Sequence, residues 1–182
     1  MTSCLLIYST TDGHTREICE RLVHLFSRHQ HQVTLQDVEQ ADDVDPQRFD
    51  KIIIGASIRY GHHAKAVYRF IADNARLLEQ KPNAFFSVNL VARKPEKRTA
   101  ESNPYVRKFL REIPWKPDLL DVFAGKLDYP RYNFWDRQII RMIMWITKGP
   151  TDPTAVIDFT DWSQVEAFAD RASRLGDKQV TA

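Results

Sequence analysis

The segment Leu5-Leu6-Ile7-Tyr8-Ser9-Thr10-Thr11-Asp12-Gly13-His14-Thr15 leaves this chain few ways to fold. Its apolar start reads as a buried strand. It then breaks into small hydroxyl residues and one glycine, and a helical pattern follows at once. Such a turn aims backbone N–H groups and hydroxyls at one point above a helix N-terminus. A phosphate fits there, because those N–H groups lack partners and the helix dipole favours an anion. Ser9, Thr10, Thr11, Asp12, Gly13, His14 and Thr15 are the candidates to hold it. Neither the G-x-G-x-x-G nor the G-K-[ST] form of phosphate loop is present. A plain capped strand-to-helix turn is the competing reading of the same residues. A carboxylate facing a phosphate is repelled, so Asp12 is expected to point away or to cap the helix.

Strand and helix patterns alternate along the chain. Strands are expected at 3–9, 32–37, 50–55, 84–91 and 121–127. Helices are expected at 16–29, 64–78 and 105–112, the first with Ile18, Leu22, Leu25 and Phe26 on one face. Lys51-Ile52-Ile53-Ile54-Gly55 is apolar in the way of a central parallel strand. This order implies a single α/β domain over 1–182, a doubly wound five-stranded parallel sheet with ligands at the strand C-terminal ends. Residues 128–155 interrupt the rhythm. A strand pattern returns at 155–159, so strand five reads as split by an insertion. Asp161 then caps a last helix carrying Val165, Phe168, Ala169 and Ala172.

Composition narrows the function classes. Cys4 and Cys19, the two cysteines of 182 residues, suggest neither a disulfide framework nor a zinc site. No signal peptide pattern precedes the first strand, and no apolar run is long enough to span a bilayer, so a cytosolic or cytosolic-face protein is expected. The net charge of +2 hides an asymmetry. Residues 93–148 hold thirteen Lys/Arg against seven Asp/Glu, and the remainder thirteen against seventeen. A basic segment on an acidic body suits an anionic partner: phospholipid, nucleic acid or a carboxylate-bearing substrate. No motif that reads RNA or DNA is apparent, and nucleic acid is not expected.

The hydroxyl-rich first loop resembles the FMN phosphate loop of flavodoxins, Thr-x-Thr-Gly-x-Thr, with Asp12 in place of the middle threonine. That resemblance puts a second flavin loop at Ala56, Ser57, Ile58, Arg59, Tyr60 and Gly61, where Tyr60 is placed to stack on the ring. The alternative is a loop with a partly buried tyrosine. His62 and His63 are adjacent and point apart, so they are assigned to a helix start or to solvent, and no metal is expected. The third loop comprises Ser87, Val88, Asn89, Leu90 and Ala92, with Asn89 offering donor and acceptor to the ring's amide edge. It lacks an aromatic and runs into Arg93-Lys94-Pro95-Glu96-Lys97-Arg98. Such a rim suits an anionic substrate; the alternative is a solvated loop.

Within the insertion, Trp135, Ile139, Met142, Ile143 and Ile146 share one helical face, and Arg137, Arg141, Met144 and Lys148 share another. Too short to span a membrane, and unusually apolar for a surface, this helix suits a membrane interface. A core-packed helix or a homo-oligomer interface is the alternative.

Four stretches together resemble the family of bacterial quinone-dependent protoporphyrinogen IX dehydrogenases, of long-chain flavodoxin type. They are Ser9 to Ile18, Gly55 to His62, Ser87 to Thr99 and Tyr129-Pro130-Arg131-Tyr132. In this family an Asp at position 12 is normal. The resemblance implies a flavodoxin-like fold, non-covalent FMN and six-electron oxidation of protoporphyrinogen IX. It further implies ubiquinone or menaquinone as acceptor and a peripheral place on the cytoplasmic face of the inner membrane. Arg93, Lys94, Lys97, Arg98 and Arg131 are the candidates for the substrate propionates. No general base is assigned; Asn89, Tyr60 and Arg59 are the polar residues to inspect. A flavodoxin-type FMN electron carrier or quinone reductase, and a non-enzymatic lipid- or nucleic-acid-binding module, are the alternatives.

Overall fold

A computed structural model describes residues 2–176. Five strands pair in parallel, in the order β2-β1-β3-β4-β5. They are β1 (Thr2–Ser9), β2 (His31–Asp37), β3 (Lys51–Ser57), β4 (Asn83–Asn89) and β5 (Leu119–Ala124). The central β3 and β4 are buried almost throughout, and Ile52-Ile53-Ile54 and Ala84-Phe85-Phe86 supply the apolar side chains that helices on both faces require. α1 (His14–Arg28) and α6 (Trp162–Ser173) cover one face, packing Ile18, Leu22, Phe26, Val165 and Phe168 on Leu6, Ile53 and Phe86. α2 (Lys65–Asp73), α3 (Ala75–Gln80) and α4 (Pro104–Glu112) cover the other, with Val67, Ile71, Leu78 and Phe109 against Leu5, Ile52, Ile54 and Phe85. Gly55 sits mid-sheet because the Phe86 ring lies over it; a Cβ there would stand 2.1 Å from Phe86 Cζ.

Three local readings need correction. The expected helix over 64–78 is two, broken at Asn74, whose side-chain amide donates to the Phe70 carbonyl at 2.9 Å and competes with the helical ladder. The fourth strand stops at Asn89, where the Asn89 side chain caps a tight turn over Leu90–Arg93. Strand five ends at Ala124. The residues beyond it form β6 (Lys126–Asp128), which pairs antiparallel with β7 (Val156–Asp158). The insertion therefore closes on its own two-stranded ribbon, not by a return to the parallel sheet. Between the ribbon strands lies α5 (Phe134–Ile146). It packs through Ile140 and Met144 on Leu127, Tyr129 and Tyr132.

Candidate functional site

The C-terminal ends of β1, β3, β4 and β5 surround one cleft, lined by Thr10, Thr11, Asp12, His14, Thr15, Ser57, Ile58, Arg59, Val88, Asn89 and Leu90. All eleven are residues assigned to it from sequence. The cleft has a cavity volume of about 70 Å³, room for a phosphate-sized group. Gly13 turns the chain into α1 with a φ of 89°, a conformation costly for any residue with a Cβ. No side chain caps α1. Thr10 Oγ1 accepts from Gly13 N at 3.0 Å and so shapes the loop. Thr15, 1% exposed, keeps its Oγ1 buried with no partner. A buried hydroxyl without a partner costs roughly 1–3 kcal/mol, and an anion above the helix N-terminus would relieve it. The residues present therefore fit a bound phosphate group.

Asp12 does not cap the helix. Arg59 Nη2 donates to both its carboxylate oxygens, at 2.6 and 2.8 Å. Burial nonetheless lifts the Asp12 carboxyl above its usual range, and the Arg59 charge offsets this only in part. Arg59 also lies 5.4 Å above the buried Tyr132 ring. Arg59-Tyr60-Gly61-His62 closes as a tight turn, with hydrogen bonds both ways between Arg59 and His62 and positive φ at Tyr60 (52°) and Gly61 (83°). The turn swings Tyr60 outward, where its hydroxyl donates to Asp136 on α5; this bond holds the phenol protonated above its usual range.

Several side chains do other work than their sequence positions suggested. The His14 ring turns aside to Glu17 (2.9 Å) and Thr160 (2.6 Å), fastening the ribbon to α1. Asn89 does not present its amide to the cleft mouth: Oδ1 accepts from Ala92 N and Asn103 Nδ2, both at 3.1 Å, and Nδ2 donates to Ser87 Oγ at 3.3 Å. His63 has no solvent role. It is buried edge-on to Phe85 and Phe109, donates to the Ser57 carbonyl at 3.0 Å, and burial pulls it down to about 4. Arg93 is spent on α5, donating to Thr147 O at 3.2 Å, Thr147 Oγ1 at 2.7 Å and Leu90 O at 3.0 Å. Arg98 lines a separate open hollow of about 890 Å³ beside α4 and β5, with Arg107, Arg111 and Lys116. Lys94 and Lys97 stand half-buried on the rim loop.

Residues 5–154 match the sequence profile of a family described as Flavodoxin domain. Protoporphyrinogen IX dehydrogenase (quinone) of Escherichia coli strain K12 is 44% identical over 174 residues, 96% of each chain. The Leishmania major protein of that name is 45% identical over 167 residues, 91% of this chain and 72% of the other. The chain belongs to this flavodoxin-domain family. Among solved structures, rubredoxin oxygen:oxidoreductase from Desulfovibrio gigas superposes with a TM-score of 0.52 at 13% identity, over 96% of this chain and 36% of that one. At that identity the likeness concerns the fold alone.

In a flavodoxin-domain protein the cleft at the strand ends is a flavin site. Sequence reasoning missed Gly125, Lys126, Tyr132 and Ile140, which also line it. All four belong to the β5 exit and the insertion, and the Tyr-Pro-Arg-Tyr tract was the one signal that marked this region. α5 keeps Trp135, Ile139, Met142, Ile143 and Ile146 exposed together, with Phe134 and Trp145 added; the two tryptophans are 74% and 75% exposed. Met144, grouped with the cations from sequence, is instead buried beside Ile140, because the ribbon underlies that side. Among the described residues no helix is long and apolar enough to cross a membrane.

Proposed function

We propose that the protein is an FMN-dependent dehydrogenase that removes six electrons and six protons from protoporphyrinogen IX, giving protoporphyrin IX, and passes the electrons to a membrane quinone. The carrying observation is the unpartnered Thr15 hydroxyl beneath an uncapped helix N-terminus, in a chain alignable over 96% of its length with relatives named for this reaction. One phosphate cradle without a dinucleotide fingerprint favours FMN over FAD. Bound there, the flavin supplies the two-electron acceptance and return that each round needs.

The chain's own residues have simpler tasks. Thr15 and the first N–H groups of α1 hold the phosphate. Arg59 draws the Asp12 carboxylate aside, so that it does not repel that anion. Asp12 is the carboxylate lining the cleft and it is engaged, so protons leaving the pyrrole nitrogens pass to solvent at the open mouth. Lys94 and Lys97 are the cations of the basic run left to meet propionates. The exposed apolar face of α5 lies in the membrane interface, on the cytoplasmic side, where quinone is found.

The test is a porphyrin-fluorescence assay on purified, lipid-supplied protein with ubiquinone or menaquinone, together with mass spectrometry of the released cofactor. Quinone-dependent appearance of protoporphyrin and release of FMN are expected. Release of FAD would overturn the cofactor assignment. Loss of quinone-dependent turnover in FMN-loaded protein would overturn the reaction.

A further inference from the structure

We infer that Arg131, a residue of the insertion, is the charged member of the cofactor-phosphate cradle. This rests on the flavin reading above and extends it to a residue outside the first loop.

Arg131 ends a tight turn, Tyr129–Arg131, whose second residue is a proline that fixes its φ. The tyrosines on either side are anchors. Tyr129 is fully buried and its hydroxyl donates to the Pro150 carbonyl at 2.8 Å. Tyr132 is buried against Arg59, and its hydroxyl accepts from Asp128 N at 3.3 Å. The two rings meet edge to face, 5.9 Å apart. Arg131 between them is exposed. Both terminal nitrogens of its guanidinium stand 3.7 Å from the point where a Cβ on Gly13 would project. The fork thus lies over the turn that opens α1. Arg131 makes no hydrogen bond or ion pair with any described residue, though its charge reaches Asp12.

The other cations nearby are engaged. Arg59 holds Asp12, and Lys126 lies 3.7 Å from Glu17. A phosphate monoester carries nearly two negative charges at neutral pH. Hydroxyls and N–H groups offer only partial charges, whereas a guanidinium can take two oxygens at once. A cation set over an uncapped helix N-terminus, next to an unpartnered buried hydroxyl, is unfavourably placed for anything but an anion.

The experiment compares FMN with riboflavin, which lacks the phosphate, by fluorescence quenching on apo-protein. The parent should prefer FMN strongly. Arg131→Ala should weaken FMN by roughly ten- to a hundredfold and leave riboflavin within about twofold. Arg131→Lys should recover part of the loss, and raising salt should weaken FMN more in the parent than in Arg131→Ala. Equal FMN affinity in Arg131→Ala and parent would overturn the assignment, as would an equal loss for both flavins, which marks a ring or packing contact. A parent that binds neither flavin overturns the cofactor reading itself, and this inference with it.

Discussion

Replacing Ile139, Ile143 and Ile146 with serine should release the protein from anionic vesicles without disturbing its cofactor. The three side chains are 36%, 40% and 65% exposed, together about one and a half isoleucines' worth of surface available to lipid. At about 1.5–3 kcal/mol for each fully buried isoleucine, the variant forgoes about 2–4 kcal/mol of transfer free energy. That corresponds to a drop in partitioning of about thirty- to a thousandfold. The fold should survive, because α5 is held from below by Ile140 and Met144, which are untouched. Cosedimentation with vesicles containing phosphatidylglycerol reads the partitioning. Flavin absorbance of the supernatant checks that the cofactor stays bound. High salt should weaken parental binding only in part, since the apolar contribution is not screened. A variant that sediments as well as the parent would show that α5 is not the anchor.

Thr15→Val removes one hydrogen bond to a charged phosphate and should weaken FMN by about 1.5–3 kcal/mol, tenfold or more, in a titration of apo-protein; unchanged affinity would place the phosphate elsewhere. Gly55→Ala drives a methyl group into Phe86 and should cost about 1–3 kcal/mol or more. Adding Phe86→Leu should recover part of this, and a thermal melt of the three proteins decides it. His63 gives a pH signature. Its folded value, about 4, lies below its ordinary 6.5, so the unfolded chain takes up a proton first as pH falls. Stability is therefore lost between about pH 6.5 and 4, by about 3 kcal/mol. Urea midpoints in His63→Phe should lack that component of the slope; an identical slope would refute the assignment.

The sheet was legible because its signal is local. Ile52-Ile53-Ile54 can only be buried on both faces, and a hydroxyl-rich loop followed by an amphipathic helix marks where β1 ends and α1 begins. The cleft's first and second loops follow from that order. What stayed hidden depends on pairings distant in sequence. Arg93 reads as a surface cation until Thr147 is brought beside it. Asn89 looks free for a ligand until Asn103 and Ala92 consume its oxygen. His63 looks solvated until Phe85 and Phe109 close over it. The ribbon was misread because the apolar runs on either side of the insertion do not reveal whether the returning strand is parallel or antiparallel. From sequence Arg131 reads only as a cation for the substrate propionates; its nearness to Gly13 depends on how Tyr129 and Tyr132 seat the turn.

The two ends of α5 are tethered to the segments that follow β3 and β4. Asp136 takes the Tyr60 hydroxyl near its start, and Thr147, just past its end, takes the Arg93 guanidinium. Both tethers, with Ile140 and Met144 packed beneath, hold α5 against the body of the domain. In the membrane-interface role proposed for α5, its apolar side resting on a lipid sheet would set the height and tilt of the cleft mouth and leave the molecule rotation about the sheet normal and sliding within the plane. A lipophilic reactant diffusing in that plane then meets the cleft at constant depth. Its search shrinks from three dimensions to two, and much of the orientational cost of encounter is met by posture before any contact with the reactant is made.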